Sequence, residues 1–144
     1  DLLVGAFEGS FAAIRPVDDW TTSTWTKLVV NAASGIIGAL SRRDNGVYAD
    51  DGARELLVEL MREVAAVGRA EGANLPDEMV PLIADAVRQR AGNHLNSITA
   101  DRLAGRPTEW RARNEVVVRL AEHHGIDVPL NRMGTTLLRL GEPD

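Results

Sequence analysis

Between Asp19 and Arg42 the chain carries a single charge, Lys27. This stretch constrains the fold more than any other. Trp25, Leu28, Val29, Ala32, Ile36, Ala39 and Leu40 recur along it at helical spacing. The window 19–40 is therefore predicted to be the longest helix, capped by Asp18 or Asp19. A membrane span is not expected. The longest weakly polar run, Leu28 to Leu40, is interrupted by Asn31 and Ser34 and falls well short of the roughly 20 apolar residues a span needs.

The rest of the chain repeats the helical period. In 50–71 the residues Ala53, Leu56, Leu57, Leu60, Met61, Val64 and Val67 form one stripe, opposite Arg54, Glu55, Glu59 and Arg62. Residues 76–91 continue it through Met79, Val80, Ile83, Ala86 and Val87. Pro76 stands at a first-turn position, and Pro81 is able to bend the helix or delay its start to about residue 80. Asn96, Ser97 and Thr99 can cap a short helix through Leu103. Further helices are expected over 108–124, stopped by Gly125, and over 130–140. The only extended piece is Arg15-Pro16-Val17. The expected fold is a compact all-α domain over 16–144. Residues 1–15 read as a linker or the tail of a preceding domain. The start at Asp1-Leu2-Leu3, with no Met, suggests a piece of a longer protein.

Charge and composition exclude several functions. The net charge is −5 and no basic run exceeds Arg42-Arg43, so no nucleic-acid partner is expected. The absence of cysteine removes disulfides, thiolate metal sites and a cysteine nucleophile, and fits a cytoplasmic protein. No metal site is expected. His123 and His124 fall near a helix end, where their charge would complement the dipole.

On the long helix Lys27, Asn31, Gly35 and Gly38 form a second stripe, with Ser34 beside it. Two glycines inside a helix cost roughly 1 kcal/mol each relative to alanine, which points to close approach by a ligand or by another helix. Lys27 reads either as a partly desolvated proton donor or as a snorkelling lysine beside a helix contact. Glu109 has a local account as a first-turn carboxylate, and Asn45, in Asp44-Asn45-Gly46, as a left-handed turn residue. Asn114 lies beside apolar neighbours, so it needs partners or faces a cleft.

Taken in order, these pieces resemble one family. They are W-x-K-L-x-x-N from Trp25 to Asn31, Asn45-Gly46, Glu63 with V-x-x-A-x-G, Ser97 and Asp101, G-R-P-T-E from Gly105 to Glu109, Asn114, and H-G-I-x-x-P-x-N from His124 to Asn131. The set is similar to the C-terminal helical domain of the ketopantoate reductase (2-dehydropantoate 2-reductase) family. The resemblance implies a helical domain like that of 6-phosphogluconate dehydrogenase, normally preceded by a Rossmann domain, with the active site between them. It implies reduction of a small-molecule 2-oxo acid by NADPH, in pantothenate biosynthesis. By position it makes Lys27 the catalytic acid, Asn31, Asn45 and Ser97 substrate-binding residues, and Glu109 a cofactor contact. A homodimer is compatible with it. No G-x-G-x-x-G after a strand occurs here, so this chain alone is expected to be inactive.

Three positions depart from the family pattern: Gly35 replaces a second Asn, Asn96-Ser97-Ile98 replaces Ser-Ser-Met, and Asn114-Glu115 replaces Asn-Gly. The first opens the alternative of a reductase for another 2-oxo acid. A free-standing helical oligomerisation or binding module is the other alternative.

Overall fold

The computed structural model describes residues 5–7, 9–11, 16–89, 92 and 95–143. Helix α1, Trp20–Ser41, is the element around which the others pack. Asp19 caps it, accepting from the Thr22 N–H at 2.9 Å and the Thr22 hydroxyl at 2.6 Å. These two bonds, the hydroxyl's first, hold the Asp19 carboxyl below its ordinary range. Arg42, in the left-handed region at φ 58°, closes the helix. Every residue from Ala32 to Ala39 is buried, so this half of α1 is enclosed on all sides rather than on one stripe.

A 3-10 turn, Asn45–Ala49, leads into α2, Asp51–Ala70. Tyr48 in that turn is fully buried and donates its hydroxyl to the Ser34 carbonyl at 3.3 Å; burial raises its pKa. Helix α3 is Met79–Gln89 and starts later than the expected residue 76. Pro81 is what delays it. It occupies the third position, where an N–H has no acceptor within the helix, so no bend is needed. Helix α4, Ser97–Leu103, is capped by Asn96.

The expected helix 108–124 begins instead at Trp110 and is π-helical over Arg111–Glu115 before continuing as α5, Val116–His124. Gly125 ends it at φ 66°. Helix α6, Pro129–Leu140, has no side-chain cap of its own. Glu63 of α2 supplies one, accepting from the N–H groups of Leu130 at 3.0 Å and Asn131 at 2.8 Å.

Close contacts position the bundle. Trp25 lies where a Gly68 side chain would project, and Ile36 lies where a Gly134 side chain would, so α2 and α6 approach α1 through glycines. No strand occurs among the described residues, and Pro16-Val17 is unpaired. Most of the expected 1–15 segment, Arg15 and His94 lie outside the described residues. Among the described residues no helix is long and apolar enough to cross a membrane, and no cluster of His, Asp and Glu could hold a metal ion.

Candidate functional site

Lys27 and Asn31 stand one turn apart on α1 and share an open groove of about 420 Å³. Trp25 and Leu28 of α1, Ala112 of the π turn, and Val116 and Leu120 of α5 form its apolar wall; Glu71 stands at its lip. Glu71 Oε1 lies 2.6 Å from His124 Nε2, a partner for the histidine beyond the helix dipole. Neither the Lys27 ammonium nor the Asn31 amide has a partner among the described residues. Of the two readings of Lys27, the water-exposed one fits the geometry. Lys27 lies on the groove's outer rim, exposed to water, while Trp25 and Val29 turn inward.

The glycine half of the stripe has a different purpose. An added Cβ on Gly35 would sit 3.1 Å from Ile98 Cγ2. One on Gly38 would collide with Thr99 Oγ1 and come within 2.9 Å of Asn96 Nδ2. Of the two candidates for close approach, the neighbouring helix is the one present. Helix α4 rests its N-terminal turn on the glycines, and Asn96 Nδ2 donates to the Ser34 carbonyl at 3.1 Å. The cap is tight: Asn96 Oδ1 accepts from Thr99 N at 2.9 Å and Thr99 Oγ1 at 2.7 Å.

This docking presents Ser97 on the exposed side of α4, where it meets Glu109. Ser97 Oγ donates to Glu109 Oε1 at 3.1 Å and accepts from Arg113 Nη2 at 2.9 Å. Arg113 Nη2 also reaches Glu109 Oε1 at 2.7 Å. Glu109 Oε2 has no partner among the described residues and could accept from a ligand hydroxyl. Glu109 stands one residue ahead of the helix start rather than in its first turn.

The structure therefore gathers the candidates into two clusters, Lys27 with Asn31 and Ser97 with Glu109. The π turn adjoins both, with Ala112 in the groove and Arg113 on Ser97. Asn114 points inward between them. It is fully buried and donates to the Ala32 carbonyl at 3.0 Å, so it has a partner rather than a cleft, although its Oδ1 has none among the described residues.

Asn45 does not line the groove. Nor is it a left-handed turn residue, since Arg42 is the only non-glycine residue at positive φ among the described residues. Asp44 caps the Gly46 N–H at 2.9 Å and draws Asn45 into the 3-10 turn instead. Arg113 and Glu71 are the site residues that sequence reasoning missed. Arg113 had a signal, standing four residues after Glu109 within the expected helix 108–124.

A second groove, between α1, α2 and α6, is lined by Ile36, Ile37, Leu56, Leu60, Met133 and Gly134 among others. It carries no ionisable group to perform chemistry.

The sequence matches the family described as ketopantoate reductase PanE/ApbA C terminal over residues 19–142. The chain belongs to this family. It is 41% identical over 137 residues to a 2-dehydropantoate 2-reductase of Caulobacter vibrioides, covering 92% of this chain and 47% of that protein. In fold it is similar to a PanE/ApbA family ketopantoate reductase from Ralstonia eutropha, with TM-score 0.88 and 29% identity, over 98% of this chain and 47% of the other. A dimeric ketopantoate reductase from Staphylococcus aureus shares the fold at TM-score 0.92 and 23% identity, over 98% and 49%. The chain spans about half the length of the curated relatives it matches.

Positions 35 and 98 face each other across the α1–α4 contact. Ile98 Cγ2 lies in contact distance of the point where a side chain at position 35 would begin. A branched residue at 98 and an Asn at 35 would compete for that space.

Proposed function

We propose that this chain is the helical, substrate-binding and catalytic half of an NADPH-dependent 2-dehydropantoate 2-reductase, reducing ketopantoate to pantoate. One observation carries the reading beyond family membership: the Lys27 ammonium and the Asn31 amide share a groove and neither is engaged. NADPH, held mainly by a dinucleotide-binding unit absent from these residues, would supply the hydride. Lys27 protonates the ketone oxygen as negative charge develops there, and the ammonium stabilises that charge before transfer. Asn31 and Ser97 hold the substrate's carboxylate and hydroxyl groups without competing for the lysine proton; Asn45, outside the groove, is assigned no contact. Glu109 offers Oε2 to a cofactor hydroxyl. A covering domain would exclude the water that reaches Lys27 in this chain and strengthen its attraction to the oxyanion. The chain alone is inactive. The functional form is compatible with a homodimer in the cytoplasm.

The Gly35–Ile98 contact favours a second reading, a reductase for another 2-oxo acid. Loss of the family's second Asn removes a hydrogen bond worth roughly 0.5–1.5 kcal/mol net. Steady-state kinetics of the full-length protein with a panel of 2-oxo acids separates the two. Lys27→Ala should lower turnover by about 10²-fold or more in either case. Near-normal NADPH oxidation by that variant with ketopantoate would remove Lys27 from the role of acid.

A further inference from the structure

Placing Glu109 beside Ser97 creates an electrostatic problem. If Ser97 holds an anionic 2-oxo acid, a carboxylate 3.1 Å from its hydroxyl oxygen faces the substrate's own negative charge. We infer that Arg113 is the positioning residue that solves it, neutralising Glu109 so that a cofactor ligand and an anion-binding hydroxyl can stand side by side. This rests on the functional reading above and deepens it.

Three observations support the assignment. Arg113 Nη2 contacts both groups, Glu109 Oε1 at 2.7 Å and Ser97 Oγ at 2.9 Å. The Arg113 side chain is only 17% exposed against 47% for Glu109, so the guanidinium is held on the protein side of the pair. The same short turn places Ala112 in the Lys27 groove, which ties Arg113 to the reaction's wall rather than to a distant surface. The geometry also sets the direction of the Ser97 hydroxyl. Arg113 donates to its lone pair, so the proton is turned outward, now toward Glu109 and, with substrate bound, toward a substrate oxygen.

The test uses full-length protein with saturating NADPH. Arg113→Met should raise KM for the 2-oxo acid about tenfold while kcat changes less than threefold. Tenfold corresponds to a charge interaction screened almost as in bulk water, as expected for the half-exposed Glu109. KM for the neutral amide of the same 2-oxo acid should stay unchanged. Arg113→Lys should recover much of the loss. The deciding variant is Glu109→Gln combined with Arg113→Met, which removes the offending charge and should return KM for the acid toward the wild-type value, whatever happens to KM for NADPH. If Arg113→Met leaves KM for the acid unchanged, or if the double variant is no better than the single, the inference is overturned while the enzyme assignment stands. If wild-type protein reduces no 2-oxo acid, the assignment itself fails and this role with it.

Discussion

Gly38→Ala tests whether the glycine stripe serves helix packing. Propensity alone says that this substitution stabilises, by about 1 kcal/mol, because Gly38 lies inside a helix. The structure reverses the sign. The new methyl would collide with Thr99 Oγ1 and approach Asn96 Nδ2 at 2.9 Å, with the Arg43 carbonyl 3.6 Å away. Thr99 and Asn96 cannot yield cheaply. Together they form the α4 cap, worth about 1 kcal/mol, and Asn96 holds the Ser34 carbonyl by a bond worth about another. Overpacking adds about 1–3 kcal/mol. Set against the propensity gain of about 1 kcal/mol, the net expectation is a loss of about 2–4 kcal/mol. At about 2–4 °C per kcal/mol for a domain near this size, that lowers Tm by roughly 4–16 °C. Gly35→Ala is the matched control. Its added methyl meets the buried Ile98 Cγ2 at 3.1 Å, which must give by a few tenths of an ångström, so this cost and the propensity gain nearly offset and stability should change by less than about 1 kcal/mol. Thermal and urea denaturation followed by circular dichroism reads both variants. A Gly38→Ala protein more stable than wild type would refute the reasoning, since it would mean that α4 does not rest on the glycine.

Two further perturbations probe the caps. Glu63→Ala removes the acceptor for Leu130 N, Asn131 N and Asn131 Nδ2, the last at 2.7 Å, and should cost about 2–3 kcal/mol by urea denaturation; a change under about 0.5 would show that α6 needs no cap from α2. Asp19 has a carboxyl pKa below the ordinary 3.8, so its contribution is present above that value and is lost as pH falls through the lower, folded one. Asp19→Asn, still an N-cap residue, should therefore flatten the acid limb of the stability curve below about pH 4 without moving the neutral plateau; an unchanged acid limb would assign the acid sensitivity to other carboxylates.

The helices were legible because each depends on a local period and a local stop. Asp19, Asn96, Gly125 and Pro129 bound their elements much as the sequence suggests. Errors arose where a neighbour decided. Asn45 looked like a turn residue until Asp44 captured Gly46 N. Glycines at 35 and 38 fitted either a ligand or a helix, because sequence spacing shows where space is left and not what fills it. Glu63 and Asn131 stood in the resemblance as separate marks, and only the fold joins them into one tertiary cap.

The π turn at Arg111–Glu115 was the least legible feature, and it does most to arrange the site. Nothing in R-A-R-N-E announces a hydrogen bond from Val116 N to the Arg111 carbonyl. Such turns insert a residue's worth of backbone and rotate the downstream helix, and they recur at functional sites. Here three consecutive residues serve three directions: Ala112 enters the Lys27 groove, Arg113 reaches Ser97 and Glu109, and Asn114 turns into the core to the Ala32 carbonyl, next to Asn31. The buried amide anchors the turn to α1 between the two clusters. A shift at Asn114 would therefore move Arg113 relative to Lys27, although Asn114 reaches neither substrate nor cofactor in the proposed mechanism.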